Sequence, residues 1–182
     1  NGTENNPFII YTFSGLEKIG TQNFPLNAYY QLGSDIDASP TQDSNYNDGK
    51  GWDPIGEVRD ITENEYDEFS GVFDGKNKQI NNLYINRENE KFVGLFSYIK
   101  EGEVKNLNIA GNDILGQAMV GGIVGRNDGL IVNVYVSGNV EGSGNNVGGL
   151  TGFQRGTTND SESDTVVKGQ GSNTGGLIGI NF

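Results

Sequence analysis

"VGGIVG" (Val120–Gly125), "VGGLTG" (Val147–Gly152) and "TGGLIG" (Thr174–Gly179) recur at intervals of 27 residues. A fixed interval of this size is the signature of a solenoid or an array. A second pattern runs beside it. "INNLYI" (Ile80–Ile85), "VKNLNI" (Val104–Ile109) and "IVNVYV" (Ile131–Val136) share [Ile/Val]-x-Asn-[Leu/Val]-x-[Ile/Val], at spacings of 24 and 27. A further 27 residues lead to "TNDSES" (Thr158–Ser163), which keeps Asp160 as an analogue of the Asn but loses the apolar positions. Working backward, "SGVFDG" (Ser70–Gly75) and "VGLFS" (Val93–Ser97) carry the same Gly before an apolar pair. The glycines Gly71, Gly94, Gly122, Gly149 and Gly176 then fall at spacings of 23, 28, 27 and 27. That reads as loop insertions and deletions around a fixed cross-section.

The kind of repeat follows from the pattern inside it. Leu107-x-Ile109 and Val134-x-Val136 alternate with period 2, and no stretch of the unit offers ten residues with a 3.6 period. Each coil is therefore a set of short strands joined by turns and stacked by parallel pairing at about 4.8 Å. The expectation is an all-β, right-handed parallel β-helix with about 27 residues per coil. Leu95, Ile123, Leu150 and Leu177 form its inward aliphatic ladder, and Asn82, Asn106 and Asn133 an amide ladder at a second corner. A phosphate-cradling loop would need a Lys and a following helix, and "GGIVGRNDG" has neither.

The N-terminal third is different. "SGLE" (Ser14–Glu17) has the form of a capping box and Gly20 that of a helix stop, which predicts a short helix over Phe13–Gly20 with Leu16 and Ile19 on the first coil. "YYQLGSDID" (Tyr29–Asp37) reads as a strand entering a polar loop, and "GWDPIG" (Gly51–Gly56) as a turn with an aromatic anchor. Residues 1–67 are thus expected to form a cap with the first irregular coils, and 68–182 the regular coils, in one continuous domain.

"VGGIVGRNDGLIVNVYVSGNVEGSGNNVGGLTG" resembles tandem GLUG motifs. These occur in bacterial filamentous-haemagglutinin-like surface adhesins and in the non-catalytic region of immunoglobulin A metallopeptidases. "NGTENNPFIIYTFSGLEKIG", "YYQLGSDIDAS", "WDPIG" and "FSGVFDGKNKQINNLYI" are similar to what commonly precedes such repeats, so the resemblance spans almost all of the chain. It implies an exported module, extracellular or on the bacterial cell surface, with an adhesive role and no catalytic residues to carry over. One departure is Ser161 and Ser163 where the pattern wants apolar or small residues, which predicts an outward bulge at Thr157–Asp164.

Composition narrows the chemistry. The 182 residues contain no Cys and no His, which removes hydrolytic triads, thiol nucleophiles and the usual zinc ligands. A net charge of −12 repels phosphate backbones, so nucleic acid is a poor partner. No apolar run approaches the ~18 residues of a membrane span. Two carboxylates could in principle serve a glycosidase. The candidates are Asp35 with Asp37, and Asp60 with Glu63, Glu65, Asp67 and Glu68. All lie in polar loops where solvation is the expected fate, so no catalytic residue is assigned. Asp43, Asn45 and Asn47 alternate like calcium ligands, but an EF-hand loop would need Gly and Glu where Asp48 and Pro54 stand. No metal or cofactor site is therefore assigned, and the stretch reads as an Asx-rich turn. Tyr29, Tyr30, Trp52, Tyr66, Phe69 and Phe73 either stack on sugar rings or pack the cap onto the first coil.

Two functional classes follow. One is a non-catalytic adhesin module acting as stalk, spacer or adhesive face, whose partners are a surface ligand (glycan or protein) and further coils of a parent chain. The other is a carbohydrate-active enzyme or glycan-binding module on the same fold. The ending "TGGLIGINF" lies inside a repeat, so the chain is expected to be a fragment that either self-associates weakly through its open end or covers it with Gly175–Phe182, Phe182 being the plug.

Overall fold

The computed structural model describes residues 1–60 and 65–182, and the side chains of all of these except 57–60 and 65. It is a parallel β-solenoid. Among the described residues thirteen strands join one sheet that winds through the molecule, and they pair in parallel. A short antiparallel hairpin, Glu57–Asp60 with Glu65–Asp67, stands apart from it.

Vertical registers define the core. Phe8, Tyr30, Phe73, Val104, Ile131 and Thr158 stand one above another. A second column runs Ile36, Ile80, Ile109, Val136, Ser163, and a third Ile85, Ile114, Val140, Val167. A fourth is Val93, Val120, Val147, Thr174. The predicted aliphatic ladder completes the set. The amide of Ile123 donates to Leu150 O at 3.0 Å and that of Leu150 to Leu177 O at 2.9 Å. Leu95, Ile123 and Leu150 are fully buried, and Leu177 is partly buried against them. Ile55 extends the ladder upward, its amide bonding to Leu95 O at 2.9 Å.

The period is locked at 27 only in the later coils. Between the upper two coils the offset is 31 at Val72↔Glu103, 29 at Ile80↔Ile109 and 27 at Val93↔Val120. Two register shifts, at Asp74/Lys78 and Arg87/Lys91, absorb the difference. This corrects the sequence alignment of the first coils. "INNLYI" does not stack on "VKNLNI"; Ile80 lies over Ile109, and Asn82 donates its amide to Ala110 O. Nor does Gly71 belong with Gly94 and Gly122. Its carbonyl accepts from Glu103, and it heads a separate column with Gly102, Gly129 and Gly156, where backbones approach too closely for any Cβ.

The corners explain the asparagines. Asn77, Asn106, Asn133 and Asp160, each just before the paired residues Lys78, Leu107, Val134 and the following Ser161, all have positive φ, between 48° and 57°. Asn133 Nδ2 donates to Asn106 Oδ1 at 2.9 Å, and Asn106 Nδ2 to Asp74 Oδ1 at 3.0 Å. Asn82 turns a different corner with Gly111 and Gly138, also at positive φ. The third corner is Phe92, Met119, Asn146 and Asn173, at φ 62°, 53°, 66° and 64°. There Asn173 Nδ2 donates to Asn146 Oδ1 at 2.9 Å, a second amide ladder that the sequence analysis missed. Asn is tolerated in this left-handed region because its short side chain bonds locally; other side chains crowd the following carbonyl.

Three further expectations need correction. The helix is the single turn Phe13–Leu16, capped by Thr12, whose Oγ1 accepts from Gly15 N at 3.1 Å; Ser14 is not the cap. Leu16 and Ile19 are nonetheless buried as expected. The coil at Thr157–Asp164 does not bulge. It keeps its register with Leu130–Ser137 because hydroxyls make the bonds: Ser161 Oγ accepts from Val134 N at 3.1 Å, and Ser163 pairs with Thr165 at 2.7 Å. Phe182 is no plug. Ile178–Asn181 continues as an ordinary strand on Thr151–Gln154, and the Phe182 ring lies outside on Phe153, 73% exposed.

Two stability outcomes follow. Leu150→Ala should lower unfolding free energy by about 2–5 kcal/mol in urea titrations, and Leu150→Asp should abolish the cooperative transition. Met119→Asn should raise it by about 1 kcal/mol, because Asn relieves a left-handed methionine at a corner where the next two coils already use Asn.

Candidate binding surfaces

The acidic candidates do not converge. Asp35 Oδ1 accepts Gln79 N at 2.9 Å, holding the loop to the next coil. Asp37 accepts from Ser39 N (3.0 Å), Ser39 Oγ (2.9 Å) and Asn82 Nδ2 (3.1 Å), and the Ser39 backbone bond first, then the two side-chain bonds, hold its carboxyl below the usual range. Glu68 pairs with Lys100 at 2.7 Å, which lowers its carboxyl likewise. Asp67 packs in the hairpin strand Glu65–Asp67. Glu63 lies outside the described residues, as do the side chains of Asp60 and Glu65. The Asp43 carboxylate accepts both the backbone and side-chain nitrogens of Asn45, at 2.8 and 3.0 Å, while Asn47 Nδ2 donates to Gly51 O at 3.0 Å. Asp43 and Asn45 thus form an Asx-turn, while Asn47 is bonded elsewhere. Among the described residues no group of three or more acidic side chains is placed to hold a metal ion.

Of the aromatics, Tyr30, Trp52, Phe69 and Phe73 are buried. Tyr30 Oη bonds to Pro25 O within the cap and Trp52 Nε1 to Leu95 O of the coil below, so even their polar ends serve packing. Tyr29 and Tyr66 are half-buried. Tyr66 leads to an outer strip that was not anticipated. It contacts Phe92 and Tyr98, with ring centroids at 5.9 and 5.4 Å. Below Tyr98 the register continues to Arg126, Phe153 and Ile180. The Arg126 guanidinium lies 4.6 Å from the Tyr98 centroid and 5.6 Å from that of Phe153. It grips Asp128 through two bonds, at 3.0 and 2.5 Å, and Tyr98 Oη donates to the same carboxylate at 2.9 Å. Partial burial pushes Asp128 up, but Arg126 and Tyr98 together bring its carboxyl below the ordinary range. The spacing of 28, 27 and 27 residues along this strip was readable, had outward positions been traced as well as inward ones.

A second surface lies between the Asn82 corner and the Phe92 corner. Here two outward columns flank the inward Ile85, Ile114, Val140 column: Tyr84, Asp113, Asn139, Val166 on one side and Asn86, Leu115, Glu141, Lys168 on the other. Between them runs an open groove of about 280 Å³. It crosses four strand levels, about 14 Å along the axis at the parallel spacing. Its carboxylates, amides and one tyrosine alternate with Leu115 and the exposed Val166. Offsets of 29, 26 and 27 along its columns hid it from the period search.

A family model described as the GLUG motif matches residues 116–141, which is one turn of the solenoid from the Met119 corner to the groove residue Glu141. The chain carries the GLUG motif. Among relatives, halomucin of Haloquadratum walsbyi is 36% identical over 128 residues, covering 70% of this chain and 1% of its own length. A protein of Evansella cellulosilytica, by name a Gly-rich membrane protein, is 34% identical over 131 residues, covering 69% of this chain and 14% of its own length. The chain thus spans a small part of the curated relatives it matches. A solved Bacteroides ovatus structure, named for an immunoglobulin A1 protease, superposes over 100% of this chain and 63% of its own, with a TM-score of 0.69 and 17% identity, a likeness of fold. No helix among the described residues is long and apolar enough to cross a membrane.

The strip makes a pH prediction. Asp128 has its carboxyl lowered in the native state, so its contribution is complete above the usual aspartate range and is lost as pH falls through the native value. Asp128→Asn should destabilise the protein at neutral pH. The difference in melting temperature from wild type should shrink on acidification.

Proposed function

We propose that the chain is a non-catalytic module of a surface-displayed or secreted bacterial protein, a stalk whose outer face makes adhesive contact. The observation that carries this reading is the uninterrupted parallel stack itself. Inward columns run from Phe8 to Thr158 with no break for a chemical centre, while the outward faces are free to carry contacts. The names of halomucin and of the Gly-rich membrane protein support a setting at or beyond the cell envelope. Coverage of 1% and 14% of those chains supports the view that residues 1–67 and 68–182 are one continuous segment, cap and coils, of a longer parent with further coils or domains. The partner is a host or environmental surface, glycan or protein, and neither nucleic acid nor cofactor enters.

The enzyme alternative is disfavoured by charge. A glycosidase general acid needs a raised carboxyl. Among the described residues, the carboxyls displaced from their ordinary range, those of Asp37, Asp43, Glu68, Glu90 and Asp128, are all shifted the other way, by backbone, amide, lysine or arginine partners. Beads coated with the purified module should be retained under flow on glycan- or protein-coated surfaces above an albumin control. The same protein should release no reducing sugar from polysaccharides. Turnover abolished by Asp113→Asn or Glu141→Gln would replace this reading with the enzyme one.

A further inference from the structure

We propose that the groove between the Tyr84 and Asn86 columns binds a linear, neutral saccharide lying along the solenoid axis; this rests on the adhesive reading above and names its ligand class. The argument begins with what the groove withholds. Its floor and walls are the middle of a parallel sheet, and the backbone groups of Tyr84–Arg87, Asp113–Gly116 and Asn139–Gly142 are engaged in ladders. The top level is closed too, since Trp52 N donates to Tyr84 O and Asn86 N to Lys50 O, both at 2.8 Å. An extended peptide that adds a strand needs free backbone partners, and the upper three levels offer none; the open lower edge of Glu162–Gly169, paired only with the strand above it, would seat a strand across the end of the groove and not along it. Recognition must come from side chains.

Those side chains suit hydroxyl groups. Asp113, Asn139, Asn86 and Glu141 place carboxylates and amides on both walls, level by level, and a carboxylate accepts two neighbouring hydroxyls at once. Apolar surface lies between them: the Tyr84 ring at the upper end, Leu115 in the middle and Val166, 58% exposed, at the lower end. A pyranose has this same character, with a C–H face and a hydroxyl rim. A few placed polar groups among apolar ones is the usual make-up of a ligand site. The four levels, about 14 Å apart from first to last, call for a chain of several sugars and not a single ring.

Charge selects among saccharides. Asp113 and Glu141 are acidic, and the one cation of the groove, Lys168, lies 3.7 Å from Glu141 and is answered by it. On a chain of net charge −12, an anionic glycan finds no complement there. A neutral one does.

Isothermal titration calorimetry on the 182-residue chain tests the assignment, with neutral β-linked hexasaccharides of glucose, mannose, xylose and N-acetylglucosamine and an anionic galacturonate hexamer as probes. At least one neutral hexasaccharide should bind, its disaccharide about tenfold or more weaker, and the galacturonate hexamer not at all. Asp113→Ala with Glu141→Ala should weaken binding about tenfold, and Asn139→Arg, which fills the centre of the groove, should abolish it. All three positions point outward, so melting temperature checks that the fold is kept. Asp164→Ala, outside the groove, should bind as wild type. No neutral binding at millimolar concentration, preference for the anionic hexamer, or binding untouched by Asn139→Arg would overturn the proposal. Bead retention on protein-coated surfaces without hexasaccharide binding overturns the saccharide assignment and leaves the adhesive reading standing; loss of all retention overturns both.

Discussion

Each coil must turn sharply between its strands, and the residue that makes the turn is held in the left-handed backbone region. Three such corners recur, at Asn77/Asn106/Asn133/Asp160, at Asn82/Gly111/Gly138 and at Phe92/Met119/Asn146/Asn173. A left-handed residue costs on the order of 1–2 kcal/mol unless it is Gly, or Asn or Asp with a local bond. The chain therefore spends its asparagines and glycines at corners, and this dictates the rest. Once a corner is fixed in every coil, the following residue starts a strand in register with its neighbour, and every side chain beyond it has its face assigned. Amide ladders such as Asn133 to Asn106 and Asn173 to Asn146 then tie the corners along the axis.

With faces assigned, the core can change its chemistry without changing its shape. Descending the first column, Tyr30 and Phe73 give way to Val104, Ile131 and finally Thr158. In a neighbouring column Ile99 is followed by Asn127 and Gln154, both buried. Both amides are bonded: Asn127 Oδ1 accepts Gly129 N at 3.0 Å, and Gln154 Oε1 accepts Thr158 Oγ1 at 2.7 Å. In the lowest coil Thr158, Ser161 and Ser163 hold register through hydroxyl bonds where a hydrophobic residue would hold it by packing. Hence Thr157–Asp164 stays in line despite losing the apolar pattern. The wide upper coils take aromatic rings instead, Phe69 against Phe96 at 4.8 Å and Phe73 against Phe96 at 5.7 Å.

Legibility in the sequence followed the same physics. The inward ladder of Leu95, Ile123, Leu150 and Leu177 was readable because burial demands one residue class at one interval. Asn106, Asn133 and the degenerate Asp160 were readable because few residues accept their backbone angle. Asn82 and Gly71 were misplaced because two-residue bulges at Asp74/Lys78 and Arg87/Lys91 change the offset within a single coil, and a constant period cannot follow that. Phe92 and Met119 were invisible as corner residues because their identities argue against the conformation they hold. The acidic and aromatic candidates were chosen by residue type, and type alone does not tell a turn acceptor such as Asp37 or a packed ring such as Trp52 from a group facing a ligand.

Outward positions obey no such constraint, and that is where function has room. A solenoid face needs only side chains that do not clash with those one level above and below. One face has used this freedom to close on itself: Tyr98, Arg126, Asp128 and Phe153 satisfy one another through stacking and charge-assisted bonds, leaving little for a partner. The Tyr84 face has done the opposite. Apart from the exposed Glu141–Lys168 pair, its carboxylate and amides stand side by side without the stacking that knits the arginine strip, over a floor whose backbone is already engaged. Two faces of one coil, built on the same corners, thus separate into a staple and an opening. The difference lies in residues whose identity the fold leaves free, and on that freedom the proposed saccharide groove rests.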